Sequence, residues 1–305
     1  MSQDAGGRPP QPATVEVVVV AYLSRDLVLT LLDRLAGELP VVVVDNARGR
    51  DGLAEAVAGR AGVRYLAGPG EGFARGANLG ALTSEADHLV FVNPDSAPGV
   101  DDLRSLVADL VTDPHLAGVG ATTVGPDGAV ELGVGGWEPT LARSLVHAVG
   151  AHRLAPTRGL YARPVPGRPL AVDWLSGACL AVPRKAFLAL GGFDEHFFVY
   201  NEDMAYGRRV REAGLGLRLR TDVLVPHQGT GSGEARPLMF RVRGASMSQY
   251  LQRHQRPAAL ALTRAALTGG TGLRWVHARL RGRGDLAEAH AAYLTGLWRG
   301  APDRS

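Results

Sequence analysis

The chain has 305 residues, 46% of them hydrophobic, which suits one large α/β domain with an appendage and excludes global disorder. A single cysteine excludes an internal disulfide, and no apolar run approaches the roughly 18 residues that span a bilayer. The net charge of +3 is uneven, because twelve arginines and four acidic residues follow Gly229. The basic C-terminal part therefore favours an anionic surface or ligand.

The first 13 residues are polar and rich in proline and glycine, so we predict a disordered segment there. A secretory signal would need an apolar stretch in this region, and none is visible. We therefore expect a cytoplasmic protein, and leave open a peripheral association with the inner face of a membrane.

The first half of the chain alternates apolar runs with helical periods, which predicts a parallel sheet covered by helices. Buried strands are predicted at 15–20, 41–44, 63–66 and 89–92, with a further strand from 119. Helices are predicted at 24–39, 53–61 and 101–113, and a glycine-rich loop over 68–80 leads into another. The polar strand ends should lie along one edge of the sheet, where a nucleotide would bind.

The second half is less regular. Residues 125–169 have poor periodicity, and we predict a mobile loop at 156–169 over the site. Ordered segments are predicted at 172–182, 184–190, 202–213 with Asn201 as the N-cap, 215–219 and 223–225. A basic, helical pattern covers residues 236–267. Glycines within 269–272 predict a break, and one or two amphipathic helices are predicted from there to residue 297.

The turn Asn93-Pro94-Asp95 follows the apolar strand at 89–92. Pro94 has no amide hydrogen, so the strand should end there and present Asp95 at its carboxyl end. A carboxylate in that place could hold a hard divalent cation, which in turn could hold a diphosphate. The alternative is that Asp95 only caps the turn or the next helix.

Seven short motifs occur in an order that resembles family 2 glycosyltransferases, and most narrowly their rhamnosyltransferase-like branch. The resemblance covers about residues 14–230. The motifs are Tyr22 after the first strand, Asp45-Asn46, Gly72-Phe73-Ala74-Arg75-Gly76-Ala77-Asn78, Asn93-Pro94-Asp95, Ser176-Gly177-Ala178, Phe193-Asp194-Glu195 and Asn201-Glu202-Asp203.

The resemblance implies a GT-A (nucleotide-diphospho-sugar transferase) fold, with a mostly parallel central sheet flanked by helices. It implies a catalytic domain at 14–235, with a nucleotide-binding half at 14–124 and an acceptor half at 125–235. Residues 236–305 would then form a basic helical C-terminal extension. The implied reaction inverts the sugar C1 and uses a divalent cation, Mg²⁺ or Mn²⁺.

The donor site follows by matching motifs. Asp95 resembles the metal-binding end of the family's Asp-x-Asp motif, in which Asn93 replaces the first aspartate. Asp45 resembles the residue that reads the nucleotide base, and Arg75 could meet a phosphate. The donor-binding residues predicted in this way are Ala21, Tyr22, Asp45, Asn46, Gly72, Phe73, Arg75, Asn78, Asn93, Pro94 and Asp95.

The acceptor hydroxyl must lose its proton during attack, so a carboxylate is needed opposite the leaving group. Glu202 and Asp203 begin a predicted helix, where the dipole favours their ionised forms, and adjacent helical residues point about 100° apart. By resemblance we assign Asp203 as the base, with Glu202 positioning the acceptor; the alternative is that both only cap the helix.

Other candidates follow from the resemblance and from position. His227 comes after a strand, with Gly229, Gly231 and Gly233 behind it; the resemblance implies that it offers a neutral imidazole to the metal, and the alternative is a surface or core histidine. Trp174 could stack on a sugar face, whereas Trp137 is more typical of the core. The predicted acceptor or sugar contacts are Trp174, Gly177, Ala178 and Tyr200.

Three other classes of protein remain open. A dinucleotide-binding oxidoreductase is opposed by the position of its glycine pattern after the third strand. A sugar nucleotidylyltransferase would need a glycine-rich loop after the first strand, and Tyr22-Leu23-Ser24-Arg25 contains no glycine. A non-catalytic nucleotide-sugar-binding protein is opposed by the presence of Asp95, Asp203 and His227 together.

The partners are less defined. The donor would be a dTDP-, UDP- or GDP-linked sugar, with rhamnose or another deoxyhexose favoured by the resemblance. The acceptor would be a glycan, a polyprenyl-linked sugar or a small natural product, and no nucleic acid is expected. The segment 239–262 interleaves apolar and arginine positions, so the C-terminal region could contact a membrane, a second subunit or the sheet.

Overall fold

The computed structural model describes residues 13–35, 37–229 and 236–301. The predicted disordered segment, apart from Ala13, and Gly231 and Gly233 of the predicted glycine loop lie outside these residues. Ten strands are assigned in the described part. They are β1 Val15–Ala21, β2 Val41–Asp45, β3 Val63–Ala67, β4 His88–Val92, β5 Leu116–Val124, β6 Gly135–Gly136, β7 Leu170–Val172, β8 Trp174–Leu175, β9 Cys179–Pro183 and β10 Gly216–Pro226.

Ten α-helices accompany these strands in the described residues. They are α1 Arg25–Leu35, α2 Leu53–Val57, α3 Phe73–Thr83, α4 Val100–Thr112, α5 Leu141–Ala148, α6 Arg184–Ala189, α7 Glu202–Glu212, α8 Arg236–His254, α9 Pro257–Leu280 and α10 Gly284–Arg299. Between α5 and β7 the chain has two 3₁₀ turns, at Ala151–Arg153 and Pro156–Arg158. The second of these opens the segment that the sequence predicts as a loop.

Eight strands form one mixed sheet in the order β3-β2-β1-β4-β9-β5-β10-β7. The pairs β3/β2, β2/β1, β1/β4 and β5/β10 are parallel, and the three other pairs are antiparallel, which confirms a mostly parallel sheet. The register aligns Ala21, Asp45 and Ala67 across β1, β2 and β3. The carboxyl ends of these strands therefore form one even edge, as expected for a nucleotide-binding sheet.

Helices cover both faces of the sheet. Helices α1, α2 and α4 bury apolar side chains such as Leu31, Leu53 and Leu106 on one face. Helices α3, α6 and α7 bury Ala77, Phe187 and other side chains on the opposite face. Strands β1 and β2 are nearly unbroken valine runs because both of their faces are buried.

The three C-terminal helices pack as a layer against α7. A third apolar cluster joins Trp174 and Met204 to Met247, Tyr250 and Leu267 of this layer. Tyr250 is fully buried, so the apolar positions of the basic segment 239–262 that belong to α8 serve packing within the protein. This outcome confirms the helical layer that the sequence left as one alternative for the C-terminal region.

The predicted break at 269–272 is wrong, because α9 continues through these residues. The reason is a close helix contact: a Cβ atom at Gly270 would lie 2.7 Å from the Cβ of Ala148 in α5. Gly244 and Gly296 serve the same purpose between α8 and α10, where a Cβ atom would strike backbone. Glycine is required at these helix crossings, so its usual role as a helix breaker is overridden.

Candidate active site

The turn after β4 is held against the end of β10. Ser96 forms a β-bridge with His227, the amide of Ala97 donates to the carbonyl of Pro226 at 2.8 Å, and that of Gln228 donates to the carbonyl of Asp95 at 3.0 Å. These backbone bonds bring Nε2 of His227 to 3.2 Å from Oδ1 of Asp95. The two residues predicted as metal ligands are therefore adjacent.

Glu131 completes this cluster from the other side of the imidazole. Nδ1 of His227 donates to Oε2 of Glu131 at 2.7 Å, and the hydroxyl of Thr123 donates to the same oxygen at 2.8 Å. Burial lowers the pKa of His227, but the hydrogen bonds to Asp95 and Glu131 outweigh burial and raise it to about 9. Burial raises the pKa of Glu131, but the bonds from His227 and Thr123 lower it overall. Glu131 thus fixes the ring so that Nε2 points at Asp95.

A divalent cation could take the place of the proton that the raised pKa of His227 keeps between this ring and Asp95, as part of a mixed shell. Two neighbouring ligands about 2.1 Å from an octahedral cation lie about 3 Å apart, close to the separation of these two atoms. In the described residues no group of three His, Cys, Asp or Glu side chains is arranged to hold a metal. Glu131 is excluded because it binds the opposite ring nitrogen. Protein side chains would therefore supply two ligands, and phosphate oxygens and water the rest.

The backbone before α7 is strained where it presents the predicted base. Tyr200 and Asn201 have φ values of 67° and 70°, the left-handed region that non-glycine residues seldom adopt. Asn201 is the N-cap residue of α7, as predicted, but its side chain makes no capping bond; its amide instead points to the sulfur of Met204 at 3.5 Å. Such strain is typical of functional sites.

The two carboxylates that follow have different environments. Burial, together with the charge of Asp203, raises the pKa of Glu202 well above its ordinary value, and Oε2 of Glu202 lacks a hydrogen-bond partner among the described residues. Burial also raises the pKa of Asp203, to about 6, while a 2.7 Å bond from the amide of Met204 and the charge of Arg243 oppose the rise. Asp203 keeps accessible surface, whereas Glu202 is buried. Near neutral pH Asp203 is therefore the ionised, reachable member of the pair.

Arg243 joins the site from α8. Its guanidinium stacks over the ring of Tyr200 at 4.5 Å from the centroid, beside the start of α7. The hydroxyl of Ser246, one turn further on, donates to the carbonyl of Val199 at 2.8 Å and fixes α8 against this segment. The C-terminal helices therefore form part of the site.

A series of contacts links the Asp95 turn to the start of α7. The amide of Asn93 and the hydroxyl of Ser96 both donate to the carbonyl of Ala178, each at 3.0 Å. Gly177 lies against the ring of Phe73, because an added Cβ atom would be 2.9 Å from it. The amide of Phe73 donates to the carbonyl of Phe198 at 2.8 Å, two residues before Tyr200. The predicted donor, sugar and base motifs thus meet at one rim of the sheet.

Asp45, the residue predicted to read the base, shapes the turn after β2. Asp45 is fully buried, and its carboxylate accepts hydrogen bonds from the amides of Ala47 and Gly49 and from the hydroxyl of Tyr65, at 2.6–2.9 Å. The carboxylate therefore holds this turn, and its contact with a base stays a prediction.

Asn46 fixes the glycine loop to the sheet. Its amide group donates to the carbonyl of Gly72 at 2.9 Å, and its side-chain oxygen accepts from the amide of Gly70 at 3.2 Å. Gly72 has φ of 96°, and a Cβ atom there would lie 2.0 Å from the carbonyl oxygen of Phe198. Asn46 and Gly72 therefore set the position of the loop backbone. Only glycine can adopt the backbone conformation found at residue 72.

The donor edge next to this loop contains a cavity of about 660 Å³, lined by Arg48, Pro69, Arg75 and Glu195 among others. Arg75 forms ion pairs with Glu71 and, at 3.6 Å, with Glu195, so its predicted phosphate contact would require breaking these pairs. Tyr22 is 41% exposed at the end of β1, and its hydroxyl accepts a bond from Arg50. The guanidinium of Arg50 also lies over the ring of Tyr22, 5.5 Å from its centroid, so only the other face of the ring is open to a base, whereas the side chain of Ala21 is buried.

Three predicted contacts pack in or against the apolar core: Asn78 and Trp174 are buried, and Phe73 is half-buried. Both amide hydrogens of Asn78 are used, on the carbonyl of Phe193 and on Glu195. The ring of Phe73 packs on Phe193 with centroids 5.6 Å apart. Trp174 is only 5% exposed and lies edge-on to Tyr161, so it cannot stack on a sugar in this conformation. Trp174 precedes Ser176, which suggested a place in the sugar site, but its ring is buried in the third apolar cluster.

The sequence did not single out Glu131 or Arg243. Glu131 lies in the stretch with poor periodicity, and its role depends on the bridge between β10 and the Asp95 turn. Arg243 is one of twelve arginines after Gly229, and nothing in the pattern distinguishes it. The nearest sequence signal for Arg243 is its position in a helix that follows His227.

Comparison with known proteins agrees with this geometry. The sequence model described as Glycosyl transferase family 2 matches residues 16–144. N-acetylglucosaminyl-diphospho-decaprenol L-rhamnosyltransferase from Mycobacterium tuberculosis is 31% identical over 229 residues, covering 65% of this chain and 70% of that protein. Low-salt glycan biosynthesis hexosyltransferase Agl10 from Haloferax volcanii is 22% identical over 209 residues, covering 67% and 63% of the two chains.

Solved structures share the fold at low identity. The mannosyltransferase PcManGT from Pyrobaculum calidifontis, in complex with GDP-Man and Mn²⁺, superposes with a TM-score of 0.58 at 17% identity, covering 98% of this chain and 91% of that one. A mycobacterial protein gives a TM-score of 0.53 at 18% identity, with coverages of 79% and 74%.

The fold, the site and these matches define the protein as an enzyme, a glycosyltransferase with a GT-A fold. More narrowly, the chain belongs to glycosyltransferase family 2. No helix in the described part of the chain is long and apolar enough to cross a membrane.

Proposed function

We propose that this protein is an inverting, cation-dependent transferase that moves rhamnose or another deoxyhexose from a nucleoside diphosphate to a hydroxyl of a polyprenyl-linked glycan. The observation that carries the proposal is the contrast at one rim between Asp95, paired with His227, and Asp203, whose pKa is raised to about 6. The similarity to a rhamnosyltransferase that is named for a diphospho-decaprenol acceptor supports this donor and acceptor class.

The donor would bind along the carboxyl edge of β1 to β4, within the nucleotide half at 14–124. Tyr22 would stack on the base, and the backbone of the loop that Gly72 and Asn46 hold would face the nucleotide. Asp95 and His227 would hold Mg²⁺ or Mn²⁺, which neutralises the charge that builds on the departing diphosphate. Asn93 and Pro94 fix the turn so that Asp95 faces that position.

The acceptor would bind in the half at 125–235, beside α7. Asp203 accepts the proton of the attacking hydroxyl, since a carboxylate with a pKa near 6 is ionised at neutral pH and still basic enough to be effective. Glu202, whose pKa burial and the charge of Asp203 raise well above its ordinary value, would position the acceptor. Tyr200 and Arg243 form the wall next to Asp203. With Asp203 as the base, the acceptor oxygen attacks C1 from the side of the sugar opposite the departing diphosphate, and the configuration at C1 is inverted.

Purified protein, Mn²⁺ or Mg²⁺, and a polyprenyl-diphospho-N-acetylglucosamine would be incubated with a panel of dTDP-, UDP- and GDP-linked sugars, including rhamnose. We expect acceptor-dependent release of the nucleoside diphosphate with one donor class, and NMR of the product should show the inverted anomer. Unchanged turnover in Asp203→Asn, or a product of retained configuration, would refute the assigned mechanism. Metal-dependent binding of a nucleotide sugar without transfer to any acceptor would favour a binding protein.

A further inference from the structure

The solvent face of α9 is apolar along its whole length. At 100° per residue, seven positions fall within a stripe about 80° wide. All seven are exposed and none is polar: Ala258, Leu262, Ala265, Gly269, Leu273, Val276 and Leu280. Leu273 and Leu280 are 64% and 82% exposed. The solvent face of a surface helix is normally polar, so this stripe is the reverse of the usual pattern.

A second exposed apolar group lies on α5 and the 3₁₀ turns that follow it. Leu145, Val149 and Leu154 are 49%, 72% and 92% exposed. Helix α5 contacts α9 at the crossing of Ala148 and Gly270, so the two groups are carried by adjacent helices. Exposed apolar surface of this extent marks an interaction site.

The charge around the stripe has one sign. Helix α9 and the residues directly before and after it carry five arginines and no acidic residue: Arg256, Arg264, Arg274, Arg279 and Arg281. His277, Arg279 and Arg281, near the C-terminal end of α9, are all exposed. An apolar face bordered by arginine matches the boundary between acyl chains and anionic headgroups.

We propose that the face formed by α9 and by Leu145, Val149 and Leu154 docks on an anionic phospholipid bilayer, with α9 lying in the plane of the interface. A helix that lies in this plane does not need the length or the uniform hydropathy of a spanning helix. Leu267 on the inner side of α9 packs in the same cluster as Met204 of α7, so the bound lipid surface would lie on the side of the helical layer away from Asp203. The membrane-docking role of this face does not depend on the identity of the acceptor.

The test is flotation of the full-length protein with phosphatidylcholine vesicles, with and without phosphatidylglycerol. We expect the protein to float with the anionic vesicles and to be released by salt in part. Leu273→Glu with Val276→Glu should weaken partition into the vesicles by about tenfold or more, because each substitution removes an apolar side chain that the bilayer would bury and adds a charge. Arg279→Glu with Arg281→Glu should reduce the preference for anionic vesicles.

The matched control is Leu82→Glu with Val111→Glu, which changes an exposed leucine and an exposed valine, 63% and 57% accessible, away from α9. It should float like the wild type, and circular dichroism should show that all variants are folded. Equal flotation of the α9 variant and the wild type, or no flotation of the wild type, would overturn the proposal. A wild-type dimer that the α9 variant converts to a monomer, without flotation, would assign the stripe to self-association and overturn it too.

Discussion

Nε2 of His227 lies 3.2 Å from Oδ1 of Asp95, and the separation is imposed by backbone bonds that join the end of β10 to the turn after β4. A cation bound by both side chains would replace the proton on Nε2 of His227, whose pKa is raised to about 9, so metal binding would release that proton. Because Glu131 holds the opposite ring nitrogen, the imidazole is oriented before any ligand arrives. A pair of ligands of this kind is too few for tight binding of a free metal ion, so nucleotide and metal should bind together.

Asp95→Asn and His227→Gln should each remove the dependence of nucleotide binding on Mn²⁺. In the wild type, a nucleoside diphosphate with Mn²⁺ should raise the melting temperature more than the two ligands added separately, because only the folded state binds the pair. Loss of this difference in both variants is the expected result, measured by thermal melting. Thr112→Ala, an exposed helix position far from the cluster, is the control. A full Mn²⁺-dependent shift in both variants would contradict the assigned ligands.

Asp203→Asn should reduce kcat by about 10²–10⁴, the usual contribution of a positioned general base. Glu202→Gln should retain much more activity, since burial raises the pKa of Glu202 and glutamine keeps the shape of this side chain without a charge. The ratio of kcat values, measured under donor and acceptor saturation, distinguishes the two carboxylates. Equal losses in the two variants would mean that they act as one unit and that Asp203 alone is not the base.

Asp203→Asn should increase folding stability, although it lowers kcat. Burial raises the pKa of Asp203 from 3.8 to about 6, so the folded state loses stability as pH rises across this window, in which only the unfolded chain is ionised at this residue. Asp203→Asn should therefore increase the free energy of unfolding at pH 7 by up to roughly 2 kcal/mol, after allowance for partial exposure. Urea unfolding at pH 7 and pH 5 is the measurement, and the gain should shrink at the lower pH.

The pH dependence of kcat/KM should show an acid limb near pH 6. Activity needs ionised Asp203, and protonation below its raised pKa removes the base. Because the charge of Arg243 lowers this pKa, Arg243→Gln should move the limb to higher pH. Arg256→Gln, at an exposed position before α9, should leave the limb unchanged. A limb that stays in place in Arg243→Gln would show that the guanidinium acts on substrate alone.

The fold could be read from the sequence because strand and helix periods agree with the final layers. The valine runs of β1 and β2 are buried on both faces, so an unbroken apolar pattern is enough to predict these central strands. Strand β5 begins at Leu116, before the predicted residue 119, and β10 joins two predicted strands into one of eleven residues. These differences concern the ends of elements, which depend on neighbours that no local pattern contains.

Site residues were harder to assign than elements, because a motif fixes where a residue lies but not which groups it already satisfies. Asp45 and Asn78 follow the motifs, yet the turn after β2 and the Phe193 loop use their polar groups. Conversely, Glu131 and Arg243 reach the site only through long-range packing. The sequence did predict Asp95 and His227 as ligands of one metal, and both residues follow strands of the same sheet.

Gly72→Ala should disturb the rim where donor and base motifs meet. The φ of 96° alone costs a non-glycine residue about 1 kcal/mol, and the added Cβ atom would also strike the carbonyl oxygen of Phe198 at 2.0 Å. We expect a loss of roughly 2–4 kcal/mol in the free energy of unfolding, together with weaker donor binding. The matched control is Gly128→Ala, with φ of 74° and no atom within 4 Å of the added Cβ, which should cost only the conformational part. Equal effects of the two substitutions on stability and donor affinity would show that the contact with Phe198 does not organise the rim.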